Sequence, residues 1–137
     1  MKKSFLIFGS FSGAIAVALG ALGAHFLKSK LSEGLITESN LQAFETAVKY
    51  QMYHAIVLLF LGFWAAKQGS KSFLNAGYCF MVGSILFSGS IYILSTTGLT
   101  ALSNVKFLGP ITPLGGLCFI AGWIFLGLGA MKRKSAD

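Results

Sequence analysis

The sequence predicts an all-α integral membrane protein, a four-helix bundle built as a single membrane domain over residues 1–137. Hydrophobic residues make up 55% of the chain, charged residues only 11%, and the mean hydropathy is +0.74. That composition leaves too little polar surface for a water-soluble globule. Lysine and arginine lie between long uncharged runs, and a membrane-spanning helix needs roughly 20 mainly apolar residues. The runs therefore predict the spans.

Four spans follow from the four uncharged windows. We place the helices at about 4–27, 50–66, 73–94 and 112–131. The third window is 34 residues long, so we expect one helix and a loop there, with loop residues at 95–98 and at Pro110. Thr112 is the predicted N-cap of the fourth helix, and Pro113 is its predicted first residue.

The first run is expected to be a retained span and not a cleaved signal peptide. Lys2 and Lys3 precede it, and residues 18–20, Ala-Leu-Gly, resemble a cleavage site. However, its apolar run is longer than the roughly 7 to 15 residues of a signal-peptide core. We therefore treat the segment as the first transmembrane helix.

The polar segment 28–49 is predicted to contain an amphipathic helix that runs directly into the second span. Ser39 and Gln42 have the spacing of a capping box. Apolar residues such as Leu41 and Phe44 then recur at helical spacing. The sequence leaves open whether this apolar face rests on the bilayer interface or caps the bundle.

Both termini are expected on the cytoplasmic side of the cell membrane. Seven basic residues fall on the side of the termini and four on the opposite side, and the richer side is normally cytoplasmic. The seven are Lys2, Lys3, Lys67, Lys71, Lys132, Arg133 and Lys134. Because the basic residues flank apolar runs and form no continuous stripe, the net charge of +7 does not predict a nucleic-acid partner.

Small residues are expected to bring the helices close together. One face of the first helix carries Gly9, Gly13, Ala16, Gly20 and Ala24. A second stripe of Ala14, Ala18 and Ala21 ends at His25, and we expect its imidazole to face protein and not lipid. The fourth helix carries Gly115, Cys118 and Gly122 in a similar role, and both cysteines are predicted to be packing residues.

Polar side chains near the outer ends of the spans form the candidate ligand site. No Asp, Glu, Lys or Arg lies within a predicted span, which argues against an ion-coupled pump and against carboxylate catalysis. We therefore predict no catalytic residue, metal or cofactor. The expected site is a polar pocket that opens outward. Its candidate residues are His25, Tyr50, Gln51, His54, Ser88, Ser90, Tyr92 and Thr112.

Three functions remain open at this point. The first is noncatalytic binding of a membrane lipid, a small amphipathic ligand or a partner helix. The second is a haem- or metal-bearing enzyme or electron carrier, because His25 and His54 are both predicted near the outer boundary, where they could meet. The third is a subunit of an oligomeric transporter. The tyrosines by themselves are also typical of an interfacial aromatic belt.

Four motifs resemble a known family. They are GALGAH from Gly20, FETAVKYQMYH from Phe44, FSGSIYIL from Phe87 and ITPLGG from Ile111. Over nearly its whole length the chain is similar to the domain of unknown function 423 family, which consists of bacterial inner-membrane proteins with small transmembrane relatives in eukaryotes. The resemblance implies a multi-pass membrane protein. It implies no reaction, ligand or partner, so no catalytic residue is transferred.

Overall fold

The computed structural model describes residues 1–68, 70–100 and 104–132; Arg133 and Lys134, counted above for the orientation, lie outside these ranges. Throughout the described residues every regular element is helical, which confirms the all-α class. Three helices there are long and apolar enough to cross a membrane: Lys3–Ser32, Lys71–Ser95 and Ile111–Met131. The remaining long helix, Glu38–Gln68, has 31 residues. That this helix also crosses the membrane stays a prediction.

The long helices are numbered by their regular parts. The first consists of α1 (Lys3–Leu22), a π-helical turn (Gly23–Leu27) and α2 (Lys28–Ser32). Helix α3 spans Glu38–Gln68. The next long helix consists of α4 (Lys71–Gly83), a second π-helical turn (Ser84–Ser88) and α5 (Gly89–Ser95). Short 3-10 turns at Thr97–Leu99 and Lys106–Leu108 precede α6 (Ile111–Met131).

Helix α3 contains both the amphipathic segment and the predicted second span, as the sequence indicates. Its start is capped by Thr37 and Asn40, so the expected pairing of Ser39 with Gln42 is wrong. The Asn40 N–H donates to Thr37 Oγ1 at 3.2 Å, and the Thr37 N–H donates to Asn40 Oδ1 at 3.1 Å. These are the two reciprocal bonds of a capping box, with an asparagine where glutamate or glutamine is usual.

The amphipathic part of α3 packs against the first helix. The two helices run antiparallel: Gly9 lies against Ala55, and Gly23 lies against the Phe44 ring. At the Gly23–Phe44 end of that pairing, apolar side chains of both helices and of the connecting turn form a small buried core. Its members are Leu27, Ile36, Leu41 and Phe44. The apolar face therefore packs on protein, which settles the alternative that the sequence left open.

The first helix uses only part of its predicted small-residue face. Gly9 and Ala16 are buried, but Ala24 is exposed, because the π-helical turn brings Gly23 and Leu27 to that face. The second stripe, including His25, is also exposed. The expectation that His25 faces protein is therefore wrong. The physical reason is that α3 covers one face of the first helix and α4 touches it only near its start.

Helices α4 and α6 interlock through phenylalanine rings that fill the space above glycines. An added Cβ at Gly122 would lie 2.5 Å from the Phe80 ring, and one at Gly129 would lie 2.7 Å from the Phe73 ring. In the opposite direction, Phe119 of α6 packs over Gly83 of α4. The predicted close approach is therefore confirmed at both glycines of α6: a ring fills the space above Gly122, and the Phe87 backbone lies against Gly115.

Candidate functional site

The amide of Gln51 connects three helices. Its Nε2 donates to the Ser12 carbonyl oxygen at 2.9 Å, and its Oε1 accepts from the Tyr92 hydroxyl at 2.7 Å. Ser12 lies nine residues after Lys3 and 16 before Lys28, about 14 Å and 24 Å along the helix. The amide is therefore well inside the uncharged run of the first helix. A strongly polar side chain at such a position is a functional candidate.

A groove lies over this amide, between the first helix and the α4–α5 helix. The two walls meet near Phe5, whose ring packs on Gly77, and they separate further along. The cavity between them measures about 650 Å³. We call it the Gln51 groove; its lining includes Ile7, Phe11, Ser12, Ile15, Gln51, Met81, Ser84, Ile85 and Tyr92. Every one of these lining groups is uncharged, and most are apolar.

His54 lies on the adjacent face of α3, towards α6, and is only 3% exposed. Its ring stacks on Phe119 with the centroids 3.6 Å apart and the planes 3° from parallel. Nδ1 is 2.7 Å from the Tyr50 carbonyl oxygen, so Nδ1 carries the proton and donates it. Nε2 then accepts from the Trp123 indole N–H at 3.2 Å. Both ring nitrogens of the neutral imidazole are thus bound to protein.

His25 and His54 do not share a site. Ala55, next to His54, packs against Gly9 and Gly13. His25 lies 12 residues beyond Gly13, about 18 Å further along the first helix. One haem or metal ion could not be bound by both imidazoles. The haem- or metal-bearing enzyme or electron carrier considered above therefore loses its pair of ligands. Among the described residues no group of three or more His, Cys, Asp and Glu could hold a metal ion.

A second cavity, of about 400 Å³, lies beside His54 between α3 and α6. We call it the His54 pocket; it is lined by Tyr50, His54, Phe87, Gly116, Phe119, Ile120 and Trp123. Because Gln51 and His54 face different sides of α3, the single outward pocket that the sequence predicts is in fact two separate cavities. Tyr50 belongs to the His54 pocket and Tyr92 to the Gln51 groove.

The remaining candidate residues join helices and line neither cavity. Ser88 is buried and donates to the Ala47 carbonyl oxygen of α3 at 2.9 Å. Ser90 and Thr112 share a hydrogen bond of 2.6 Å between α5 and α6. Thr112 is not the N-cap, because α6 begins at Ile111. Its hydroxyl is therefore used between helices and not to cap its own helix.

Several site residues were not predicted as ligand contacts from the sequence. Phe119 and Trp123 enter through the α3–α6 contact, and Ser84 lines the Gln51 groove from a π-helical turn. Ser12 contributes its carbonyl oxygen, which no side-chain pattern reveals. Of these residues, only Trp123 could have been noticed from the sequence, because an indole N–H within a helix bundle requires an acceptor.

The comparison with known proteins agrees with the sequence motifs. A family model described as "Protein of unknown function (DUF423)" matches residues 19–116. The chain belongs to the DUF423 family. The match includes Gln51, His54 and Tyr92, together with about half of the residues that line each cavity of this DUF423 protein.

Proteins similar to this DUF423 chain are named as membrane proteins. The UPF0382 membrane protein YwdK of Bacillus subtilis is 44% identical over 131 residues, covering 95% of this chain and 98% of its own. The UPF0382 membrane protein SH2409 of Staphylococcus haemolyticus is 41% identical over 132 residues, covering 95% and 97%. No solved structure matches the chain. With three apolar helices of sufficient length, the DUF423 chain is a membrane protein of a family without an assigned function.

Proposed function

We propose that this protein binds one neutral, lipid-like molecule in the Gln51 groove and catalyses no reaction there. The observation that carries the proposal is a polar amide in a mostly apolar cavity, at the level of the uncharged run of the first helix. A volume of about 650 Å³ lies within the range of roughly 300–1,000 Å³ typical of small-molecule sites. The groove walls suit an apolar chain, and the amide suits a polar group at its end.

The lining of the groove determines the chemistry of the ligand. Gln51 uses one N–H and one acceptor position within the protein, so its second N–H and second acceptor position remain for a ligand. No charged side chain lines the groove, and an ionised group would be costly in such surroundings. The ligand polar group is therefore a neutral hydroxyl, ester or amide and not a phosphate or carboxylate.

Gln51→Leu is expected to weaken retention of this ligand by about fivefold or more. The variant keeps the side-chain volume, but it loses one hydrogen bond to the ligand and also the bonds to Ser12 and Tyr92 that hold the groove. Native mass spectrometry on gently solubilised protein would measure the fraction carrying an added lipid-like mass. Gln42→Leu is the matched control, since Gln42 is exposed on the same helix and lies outside the groove. Equal retention by both variants and the parent protein would contradict the proposal.

We also propose that α3 is the fourth span and that both termini face the cytoplasm of the cell. The pairing of α3 with the first helix supports the crossing, because contacts extend from Gly62 near Lys2 to Phe44 near Gly23. The seven-to-four distribution of basic residues supports the orientation.

Single cysteines would test this topology in a background where Cys79 and Cys118 are replaced by serine. In intact cells a membrane-impermeant thiol reagent is expected to label Ser32→Cys. It should label Ser70→Cys and Lys132→Cys only after the membrane is permeabilised. Labelling of Ser32→Cys and Ser70→Cys from the same side would show that α3 does not cross.

A further inference from the structure

We propose that the His54 pocket is a second binding site, and that it takes a neutral planar ring bearing a carbonyl group, as in the ring of a membrane quinone. This site is separate from the Gln51 groove, because the two cavities lie on different sides of α3 and share no lining residue. The proposal concerns binding only and includes no redox step.

The walls of the pocket favour a flat ring. Tyr50 and Phe87 are stacked with their centroids 5.0 Å apart and their planes 28° from parallel. Phe87 meets Phe119 edge to face at 5.5 Å, and Trp123 completes the lining from α6. Aromatic faces and edges pair best with another planar ring, in an offset-stacked or edge-to-face arrangement. Gly116 adds no side chain that would fill the cavity.

A hydrogen-bond donor at the pocket explains why the ring should carry a carbonyl. The Tyr50 carbonyl oxygen accepts from His54. The Tyr50 side chain lines the pocket and is 41% exposed, and its hydroxyl makes no hydrogen bond within the described residues. The neighbouring Gln51 bonds to Ser12, so this turn of α3 lies inside the uncharged run of the first helix. A phenol in apolar surroundings lowers its free energy by donating to an acceptor. The imidazole cannot accept, because the indole occupies its Nε2.

The pocket also determines the charge of the ligand and its route of entry. No ionised side chain lines it, so the ligand must be neutral. Ile120 is 58% exposed and Trp123 is 48% exposed, on a face made of apolar helix surface. A ring with an apolar tail can therefore enter sideways from the bilayer. A volume of about 400 Å³ accommodates a single ring and leaves the tail in the lipid.

The test uses tryptophan fluorescence, because the chain has only two tryptophans. Trp64→Phe leaves Trp123 as the sole emitter, and the variant in nanodiscs is titrated with decylubiquinone. We expect saturable quenching. Adding Tyr50→Phe should raise the apparent Kd about fivefold, because the ring is kept and one hydrogen bond is lost. Tyr53→Phe is the matched control and should leave the Kd unchanged, since Tyr53 does not line the pocket.

Filling the pocket with a side chain is a second test of the site. Gly116→Leu places a side chain in the pocket and should abolish the saturable quenching while the helical circular dichroism stays unchanged. Quenching that rises linearly with quinone in every variant, or an identical Kd with and without the Tyr50 hydroxyl, would overturn the proposal. Neither result bears on the Gln51 groove, which the Gln51→Leu and Gln42→Leu pair tests independently.

Discussion

Gly115→Ala is expected to lower the free energy of unfolding by about 3 kcal/mol, the upper end of the usual cost of overpacking a core. The added Cβ would lie against the backbone nitrogen of Phe87 and 2.8 Å from its Cα. Because the obstacle is the backbone of the α4–α5 helix, no rotamer change relieves it, and the two helices must move apart. Unfolding in mixed detergent and SDS micelles, followed by circular dichroism, measures the effect.

The adjacent glycine provides the control for that experiment. A Cβ at Gly116 would meet only the Phe87 ring, at 3.8 Å and 3.9 Å, which is ordinary van der Waals contact. Gly116→Ala is therefore expected to change the free energy of unfolding by less than about 0.5 kcal/mol. Similar losses in the two alanine variants would show that the approach of the helices at Gly115 does not determine the stability here.

His54→Ala is expected to destabilise the fold by about 3 kcal/mol and not to act as a simple binding-site variant. The substitution removes a buried ring stacked on Phe119 and leaves a cavity. It also removes the acceptor of the Trp123 indole N–H. The same unfolding measurement in mixed micelles applies, with Trp123 fluorescence as a second signal that reports the change around the indole.

Tyr53→Ala is the matched control for the histidine variant. Tyr53 lies one residue before His54 but is 55% exposed, and its nearest aromatic neighbour, the Tyr50 ring, is 6.3 Å away. We expect a loss below about 1 kcal/mol. If His54→Ala were no more destabilising than Tyr53→Ala, the hydrogen bonds and stacking of His54 would contribute little to the fold. The residue would then be free for a role in binding.

The site shows where side-chain spacing stops being informative. The sequence indicates that residues 50–54 carry unusual polar groups in an apolar helix. The structure places Tyr50, Gln51 and His54 at cavities and leaves Tyr53 exposed. Whether Gln51 and His54 face one cavity or two depends on where the first helix and α6 pack around α3. The spacing of three residues is compatible with either, because a helix can contact different neighbours on adjacent faces.

The orientation of His25 could not be predicted from the sequence for a different reason. Its stripe of small residues has the same spacing as the face that packs on α3. Periodicity alone therefore predicts that both faces pack on a neighbouring helix. The π-helical turn at Gly23–Leu27 adds a residue to one turn and shifts which side chains follow α3. No residue type in that turn identifies it in advance.

By itself the sequence determined that this protein is helical and belongs in a membrane, because charge and hydropathy act locally along the chain. It also determined the close approach of the helices at glycines such as Gly115, since the absence of a side chain is local as well. Only the tertiary structure decided that the polar residues divide into the Gln51 groove and the His54 pocket. That division depends on which helices are neighbours, and hydrogen bonds such as Gln51 to Ser12 connect residues 39 apart in the chain.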